Sequence, residues 1–131
     1  PPAHGKMDFL ILEQGEVKII EHTTKSFFVY RNLKSAPENK VRQWQIYSGW
    51  SGIKNGYITV DGGDNMPFGF PYKWFPMTFD ANIYNACMEK FMYIWQCVQK
   101  HTPPEYDTKT YHFGSSGCYQ CPWLAEHWGE K

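Results

Sequence analysis

The residues best suited to chemistry lie in the last quarter of the chain, where two cysteines stand between two histidines. Cys118 and Cys121 form a Cys-x-x-Cys pair, and His112 and His127 are each separated from the nearer cysteine by five residues. Structural zinc sites commonly combine a Cys-x₂₋₄-Cys pair with two further nitrogen or sulfur ligands. These four residues are therefore a candidate metal site, in which a structural zinc ion would fix the tail of the domain.

The same two cysteines could also perform thiol–disulfide chemistry. A helix that begins just after a Cys-x-x-Cys pair lowers the pKa of the first thiol and so activates it. Over seven residues, Cys118-Tyr-Gln-Cys121-Pro-Trp-Leu resembles the active loop of the selenoprotein W-like redox family. In that family the motif follows the first strand, whereas only ten residues follow Cys121 here. The resemblance implies a small redox enzyme; a local disulfide and plain packing of both cysteines are further interpretations.

Motifs of other enzyme classes are missing from the sequence. Neither Cys118 nor Cys121 is followed by the arginine of a cysteine phosphatase, because the only arginines are Arg31 and Arg42. There is no Gly-x-Ser-x-Gly nucleophile turn and no glycine-rich phosphate loop. These absences favour a non-catalytic function over an enzyme centred on the two cysteines.

The second notable stretch covers residues 66–78, where prolines and aromatic residues alternate. Three prolines and a glycine exclude a helix and a central strand. The aromatic content is too high for an ordinary exposed loop, so the segment must pack on the sheet, on a ligand or on another chain. As a binding surface it would offer Phe70, Tyr72 and Trp74, with Trp50 as a fourth aromatic residue; as a cover it would close one end of the sheet.

Composition limits the range of partners. The 131 residues carry thirteen basic and thirteen acidic side chains, and this neutrality removes the electrostatic basis for nucleic-acid binding. No run approaches the roughly 20 apolar residues of a membrane span, so we expect a soluble protein without a transmembrane segment. Because the chain starts at Pro1 without a methionine, we expect that processing or truncation has removed an earlier segment. No sequence feature predicts the compartment.

The hydrophobic patterns predict an α+β fold with an antiparallel sheet of four to six strands and one long amphipathic helix packed on one face. We expect a single domain made of a flexible arm (residues 1–6), a strand meander (7–60), the Pro/aromatic loop (66–78), the helix (81–100) and a Cys/His-rich tail (108–131). Within the meander, strands are predicted at residues 7–12, 17–22, 26–31, 40–47 and 57–60, and 26–31 and 40–47 are expected to form a hairpin.

Other polar residues are interpreted as structural. His22, at the end of a predicted strand, is expected to be a surface or hydrogen-bonded residue, and residues 61–65 are expected to form a turn. Cys87 and Cys97 are ten residues apart on the predicted helix, about 15 Å at 1.5 Å per residue, which is too far for a disulfide.

The sequence as a whole predicts a non-catalytic binding or assembly domain. Its aromatic surface would bind a protein partner or a hydrophobic ligand, and zinc or a disulfide would hold the tail. The alternative is a small thiol-redox or zinc-dependent enzyme centred on Cys118 and Cys121.

Overall fold

The computed structural model of the chain describes residues 4–104. The predicted Cys/His-rich tail therefore lies outside the described residues. The described residues divide into two units, of which the first ends at Met88 and contains the sheet, and the second begins at Glu89. None of the helices within residues 4–104 is long and apolar enough to cross a membrane.

The described residues form four strands and three helices in a mixed order, which confirms the α+β class. In chain order they are β1 (Phe9–Glu13), β2 (Glu16–Thr24), α1 (Phe27–Asn32), α2 (Glu38–Ser51), β3 (Asn55–Asp61), β4 (Lys73–Thr78) and α3 (Ala81–Gln99).

The sheet has the order β1-β2-β3-β4 and is mixed, not purely antiparallel as predicted. β1 and β2 form an antiparallel hairpin around Gln14 and Gly15, which both have positive φ (51° and 78°), as a type I′ turn requires. β2 and β3 are parallel, and β3 and β4 are antiparallel. The parallel pair arises because helices, not strands, connect β2 to β3 and return the chain to its starting end.

The prediction of a strand at residues 26–31 is wrong, because this segment forms α1. The Ser26 hydroxyl caps the helix by accepting a hydrogen bond from the Val29 N–H at 3.3 Å. At the other end Lys73 Nζ donates to the carbonyl oxygens of Tyr30 (2.6 Å) and Leu33 (2.8 Å). These caps satisfy backbone groups that six residues of helix leave unpaired, and they override the strand preference of Phe, Val and Tyr.

The predicted strand at residues 40–47, and with it the predicted hairpin, is also wrong, because the segment lies within α2. Its largest fully buried residue, Trp44, is followed by buried Tyr47 and Ser48, three and four positions later. That spacing places the three side chains on one helical face. The helix ends at Gly52, whose φ of 78° is the left-handed conformation common after helix ends.

The core of the first unit lies between one face of the sheet and helices α1 and α2. Its buried members are Ile19, Tyr30, Trp44, Tyr47, Ile58 and Val60. The sheet-covering helix of this unit is therefore α2, whereas the long helix predicted for that place is α3. Residues 81–88 of α3 contribute no buried side chain.

The predicted position of the long helix is confirmed, since α3 covers Ala81–Gln99 against an expected 81–100. The Asp80 carboxylate accepts hydrogen bonds from the N–H groups of Asn82 (2.9 Å) and Ile83 (3.4 Å), as expected of an N-cap. The structure also contains β4 within the predicted loop. It is an edge strand, the only kind of strand in which Pro76 is readily accommodated.

Candidate functional site

The sheet has two faces with different chemistry. Ile19 and Ile58 point to the helices, and this side is called the core face. Because side chains alternate along a strand, their neighbours point to the opposite side. That side is called the polar face, since it carries the paired side chains of Glu13, Glu16, Lys18, His22, Thr24, Asn55, Tyr57, Thr59, Asp61 and Thr78.

The polar face carries a hydrogen-bonded row at the carboxyl ends of the parallel strands β2 and β3. His22 Nε2 lies 2.6 Å from Asp61 Oδ2, and His22 Nδ1 lies 2.7 Å from Thr59 Oγ1. The carboxylate also accepts hydrogen bonds from the Thr24 hydroxyl at 2.9 Å and the Gly63 N–H at 2.7 Å. A carboxylate can only accept, so Nε2 of a neutral His22 donates to Asp61, and Nδ1 then accepts from the Thr59 hydroxyl.

These donors determine the charge of Asp61. Burial by itself would raise the pKa of this carboxyl, but the hydrogen bonds from Gly63, Thr24 and His22 outweigh burial and hold the pKa below its ordinary value. Asp61 is therefore an aspartate at neutral pH. It fixes both the tautomer and the ring orientation of His22.

The sequence Thr59–His22–Asp61 has the bonding order of a nucleophile, base and orienting carboxylate. A nucleophile must reach a substrate, however, and Thr59 is only 4% exposed on a central strand. The arrangement is therefore a cross-strand clamp, not an accessible catalytic centre. This agrees with the interpretation of His22 as a hydrogen-bonded residue. No local pattern indicated Asp61 as its partner, because only the parallel pairing brings the two together.

Two of the predicted binding residues, Tyr72 and Trp74, pack on side chains of the polar face. The Tyr72 ring centre lies 5.5 Å from that of His22, and the Trp74 ring packs edge-on against Tyr57 at 5.3 Å. Tyr72 is 52% exposed and Trp74 is 53% exposed. We call the exposed sides of these two rings the Tyr72/Trp74 surface.

The support under Trp74 is itself an ionic network. The Tyr57 hydroxyl donates to Glu13 Oε1 at 2.8 Å, and Lys18 Nζ donates to the same oxygen at 2.7 Å. The hydrogen bond from Lys18 lowers the pKa of Glu13, and the bond from Tyr57 lowers it further. The carboxylate therefore stays charged and holds the Tyr57 ring in place below Trp74.

The other two predicted binding residues lie elsewhere. Phe70 packs edge-on against Phe27 at 5.5 Å and against Tyr30 at 6.2 Å, so it packs on α1 and not over an end of the sheet. The Tyr30 hydroxyl also donates a hydrogen bond to the Pro71 carbonyl and so fixes the loop. Trp50 lies in the last turn of α2 with its ring centre 6.4 Å from that of Tyr47, close in sequence to the start of β3. Tyr72 lies at the other end of β3, because it directly precedes β4, whose first residue Lys73 pairs with Val60.

The core face contains a fully buried carboxylate that no sequence motif singles out. Glu21 is completely buried; its Oε1 accepts a hydrogen bond from the Asp8 N–H at 3.2 Å, and its Oε2 has no partner. Burial raises the pKa of Glu21 to about 7, and the neighbouring Asp8 charge acts in the same direction. No group of three or more His, Cys, Asp or Glu residues within residues 4–104 could hold a metal ion.

The predicted metal ligands His112, Cys118, Cys121 and His127 lie outside the described residues, so the zinc site and the redox alternative stay predictions. Metal analysis of the purified chain with and without chelator would test the first, and thiol reactivity at Cys118 the second. Cys87 and Cys97 are both free thiols, and they form no disulfide with each other, as expected from their separation on the helix. Comparison with protein-family models, with curated proteins and with solved structures gives no match to this chain.

Proposed function

We propose that the chain is a non-catalytic binding domain that holds a protein partner through the Tyr72/Trp74 surface. The observation that carries this proposal is that two large aromatic rings are more than half exposed although each is packed against a fixed neighbour. Exposed aromatic residues of this kind are enriched at the centres of protein interfaces, where they supply most of the binding energy.

The hydrogen-bonded side chains on which the two rings pack support this function through rigidity. Tyr72 packs on His22, and both ring nitrogens of His22 are engaged by Asp61 and Thr59. Trp74 packs on Tyr57, which is tied to Glu13. A side chain that is already ordered loses little conformational entropy on binding, so more of its contact energy contributes to affinity.

The chemistry of the surface indicates the class of partner. Its centre is aromatic, and the nearby polar side chains are already paired with one another, which suits an apolar or aromatic side chain of a protein or a hydrophobic small ligand. The balanced charge of the chain provides no attraction for a polyanion. A protein partner is favoured because rings that are more than half exposed bury more area against an extended protein surface than against a small molecule.

A peptide-display selection against the full chain tests the proposal. We expect the selected peptides to bind the Trp74→Ala variant at least about tenfold more weakly, because removal of a central aromatic anchor typically costs roughly 2 kcal/mol or more. Phe28→Ala is the matched control, since Phe28 is 67% exposed on α1 and away from the polar face. Peptides that bind Trp74→Ala as tightly as the parent chain, with circular dichroism unchanged, would contradict the proposal.

A further inference from the structure

The two edges of the sheet are protected to different degrees. Within the described part of the chain the sheet ends at β1 on one side and at β4 on the other. β4 contains Pro76, which has no N–H to offer to another strand. β1 has the sequence Phe-Leu-Ile-Leu-Glu without proline or an internal charge, and Phe9, Leu10 and Leu12 are 59%, 55% and 74% exposed. Such an edge is a template for a further strand.

The hairpin geometry shows which backbone groups of β1 are available. Residues that flank a two-residue turn exchange backbone hydrogen bonds, and such pairs alternate with pairs that do not. Glu13 and Glu16 flank the turn, and the register then places Ile11 opposite Lys18 and Phe9 opposite Ile20. The backbone groups of these β1 residues therefore point to β2. Those of Leu10 and Leu12 point away from the sheet.

We propose that β1 pairs antiparallel with β1 of a second copy of the chain, about a two-fold axis at Ile11. In this register Leu10 of each copy lies opposite Leu12 of the other. The backbone N–H and C=O groups of both leucines point away from their own sheet, so each Leu10–Leu12 pair forms two backbone hydrogen bonds between the copies. The result joins two four-stranded sheets into one continuous sheet.

Neighbouring registers are less favourable. After a shift of one residue, the outward-facing backbone groups of Leu10 lie opposite a residue of the other copy whose own backbone groups point to β2, so no hydrogen bonds form. In one direction this shift also brings Asp8 opposite Glu13, and two like charges then face each other. A shift of two residues leaves only one leucine of each strand correctly paired. The central register keeps like charges apart and pairs every outward group of the apolar run.

The side chains are self-complementary in the same register. Leu10 and Leu12 of both copies form one apolar row beside the core face, and Phe9 and Ile11 of both copies line the other side. Residues 4–8, which precede β1, run toward α2 and not along this edge: a Cβ at Gly5 would lie only 2.5 Å from the Tyr47 ring. The pairing is independent of the proposed function, since β1 contributes neither of the rings of the Tyr72/Trp74 surface.

Cysteine cross-linking of the full chain tests the register. The two copies of residue 11 form a pair without direct hydrogen bonds, with Cα atoms about 4.5 Å apart, which suits a disulfide. We expect Ile11→Cys to give a covalent dimer on mild oxidation, with peptide mapping that identifies a bond between the two introduced cysteines and not the native ones. Leu12→Cys is the matched control, because its two copies are diagonal at about 7–8 Å and should cross-link poorly. If the two introduced cysteines of Ile11→Cys form no disulfide, or if Leu12→Cys cross-links equally well, the proposed register is overturned.

Sedimentation velocity over a concentration series tests the dimer itself. We expect reversible dimerisation of the unmodified chain and at least about a tenfold weaker dimer for Leu12→Lys, because a charged edge residue opposes strand pairing. Phe28→Lys places the same charge at an exposed site on α1 and should leave the dimer unchanged. A chain that stays monomeric at all concentrations would overturn the proposal, while the peptide-binding test with Trp74→Ala would still decide the proposed function separately.

Discussion

The two faces of the sheet each hold a carboxylate in the parallel strand pair, and the two environments shift its pKa in opposite directions. On the core face, Glu21 has one hydrogen bond and one oxygen without a partner, and its pKa is raised to about 7. On the polar face, Asp61 accepts hydrogen bonds from His22, Thr24 and Gly63, and its pKa is lowered. Both carboxylates are poorly exposed, so the number of donors and not burial alone decides which one keeps its charge.

This difference shows how the fold divides its tasks. The core face stabilises the fold by burying apolar side chains, whereas the buried carboxyl of Glu21 lowers the stability. On the polar face the side chains are held in place by hydrogen bonds to one another, and Tyr72 and Trp74 stay exposed at its margin. Substitutions on the two faces should therefore change the free energy of unfolding by different amounts and with different pH dependence. The following predictions test this from the largest effect to the smallest.

Truncating a core tryptophan should cost far more than truncating an exposed one. Trp44 is fully buried and donates its indole N–H to the Ile19 carbonyl at 3.2 Å. We expect Trp44→Ala to lower the free energy of unfolding by about 3–5 kcal/mol, through the cavity and the unpaired carbonyl. Trp74→Ala should change it by less than about 1 kcal/mol. Urea denaturation followed by circular dichroism measures both; similar losses would contradict the assignment of Trp74 to a binding surface.

Replacing Glu21 should change how stability depends on pH. The pKa is 4.5 in the unfolded chain and about 7 in the fold, so between these values the folded state binds the extra proton. The free energy of unfolding therefore falls as pH rises through this window, by up to about 3 kcal/mol. We expect Glu21→Gln to remove this fall and to be the more stable protein above pH 7.

Denaturation series at several pH values, compared with Glu16→Gln as the exposed control on the same strand, measure this effect. A pH profile of Glu21→Gln that parallels the parent chain between about pH 4.5 and pH 7 would show that Glu21 titrates as an ordinary carboxyl.

Replacing Asp61 should have the opposite pH signature. The folded pKa is lower than the ordinary 3.8, so the stability that Asp61 contributes is present above that pH and is lost as the pH falls through the folded pKa. At neutral pH we expect Asp61→Asn to lower the free energy of unfolding by about 2 kcal/mol, because hydrogen bonds to a charged group are lost. Asp64→Asn, in the exposed turn nearby, is the control and should have little effect. An Asp61→Asn variant as stable as the parent chain would show that the hydrogen bonds to Asp61 do not stabilise the fold.

A smaller loss than at Asp61 is expected at Lys73, whose ammonium group donates hydrogen bonds to backbone carbonyl oxygens. Lys73 Nζ donates to the carbonyls of Tyr30 and Leu33 at the end of α1. We expect Lys73→Met to cost about 1 kcal/mol, since a cation near a helix C-terminus and its hydrogen bonds are lost. Lys34→Met, an exposed lysine just after α1, is the matched control in thermal denaturation. Equal effects of the two would show that the cap is not a stabilising contact.

Local sequence patterns predicted correctly those elements whose local preference agrees with their long-range packing. The apolar runs flanking Gln14-Gly15 specified the β1–β2 hairpin, and the Asp80 cap and apolar face specified α3. Prolines correctly excluded a central strand from residues 66–78, where β4 is an edge strand. The choice of Trp50, Phe70, Tyr72 and Trp74 as binding residues stays a prediction.

Long-range contacts determined the remainder of the fold. Residues 26–31 and 40–47 have the composition of strands, yet they are helical because Lys73 caps the first and Trp44 is buried by the second. That change turns an antiparallel meander into a crossover and makes β2 and β3 parallel. Only this pairing brings His22 to Asp61, 39 residues away in sequence, and places Glu21 under the helices. Local propensity differs by a few tenths of a kcal/mol per residue, whereas burial of one large side chain contributes several-fold more, so long-range packing prevailed where the two disagreed.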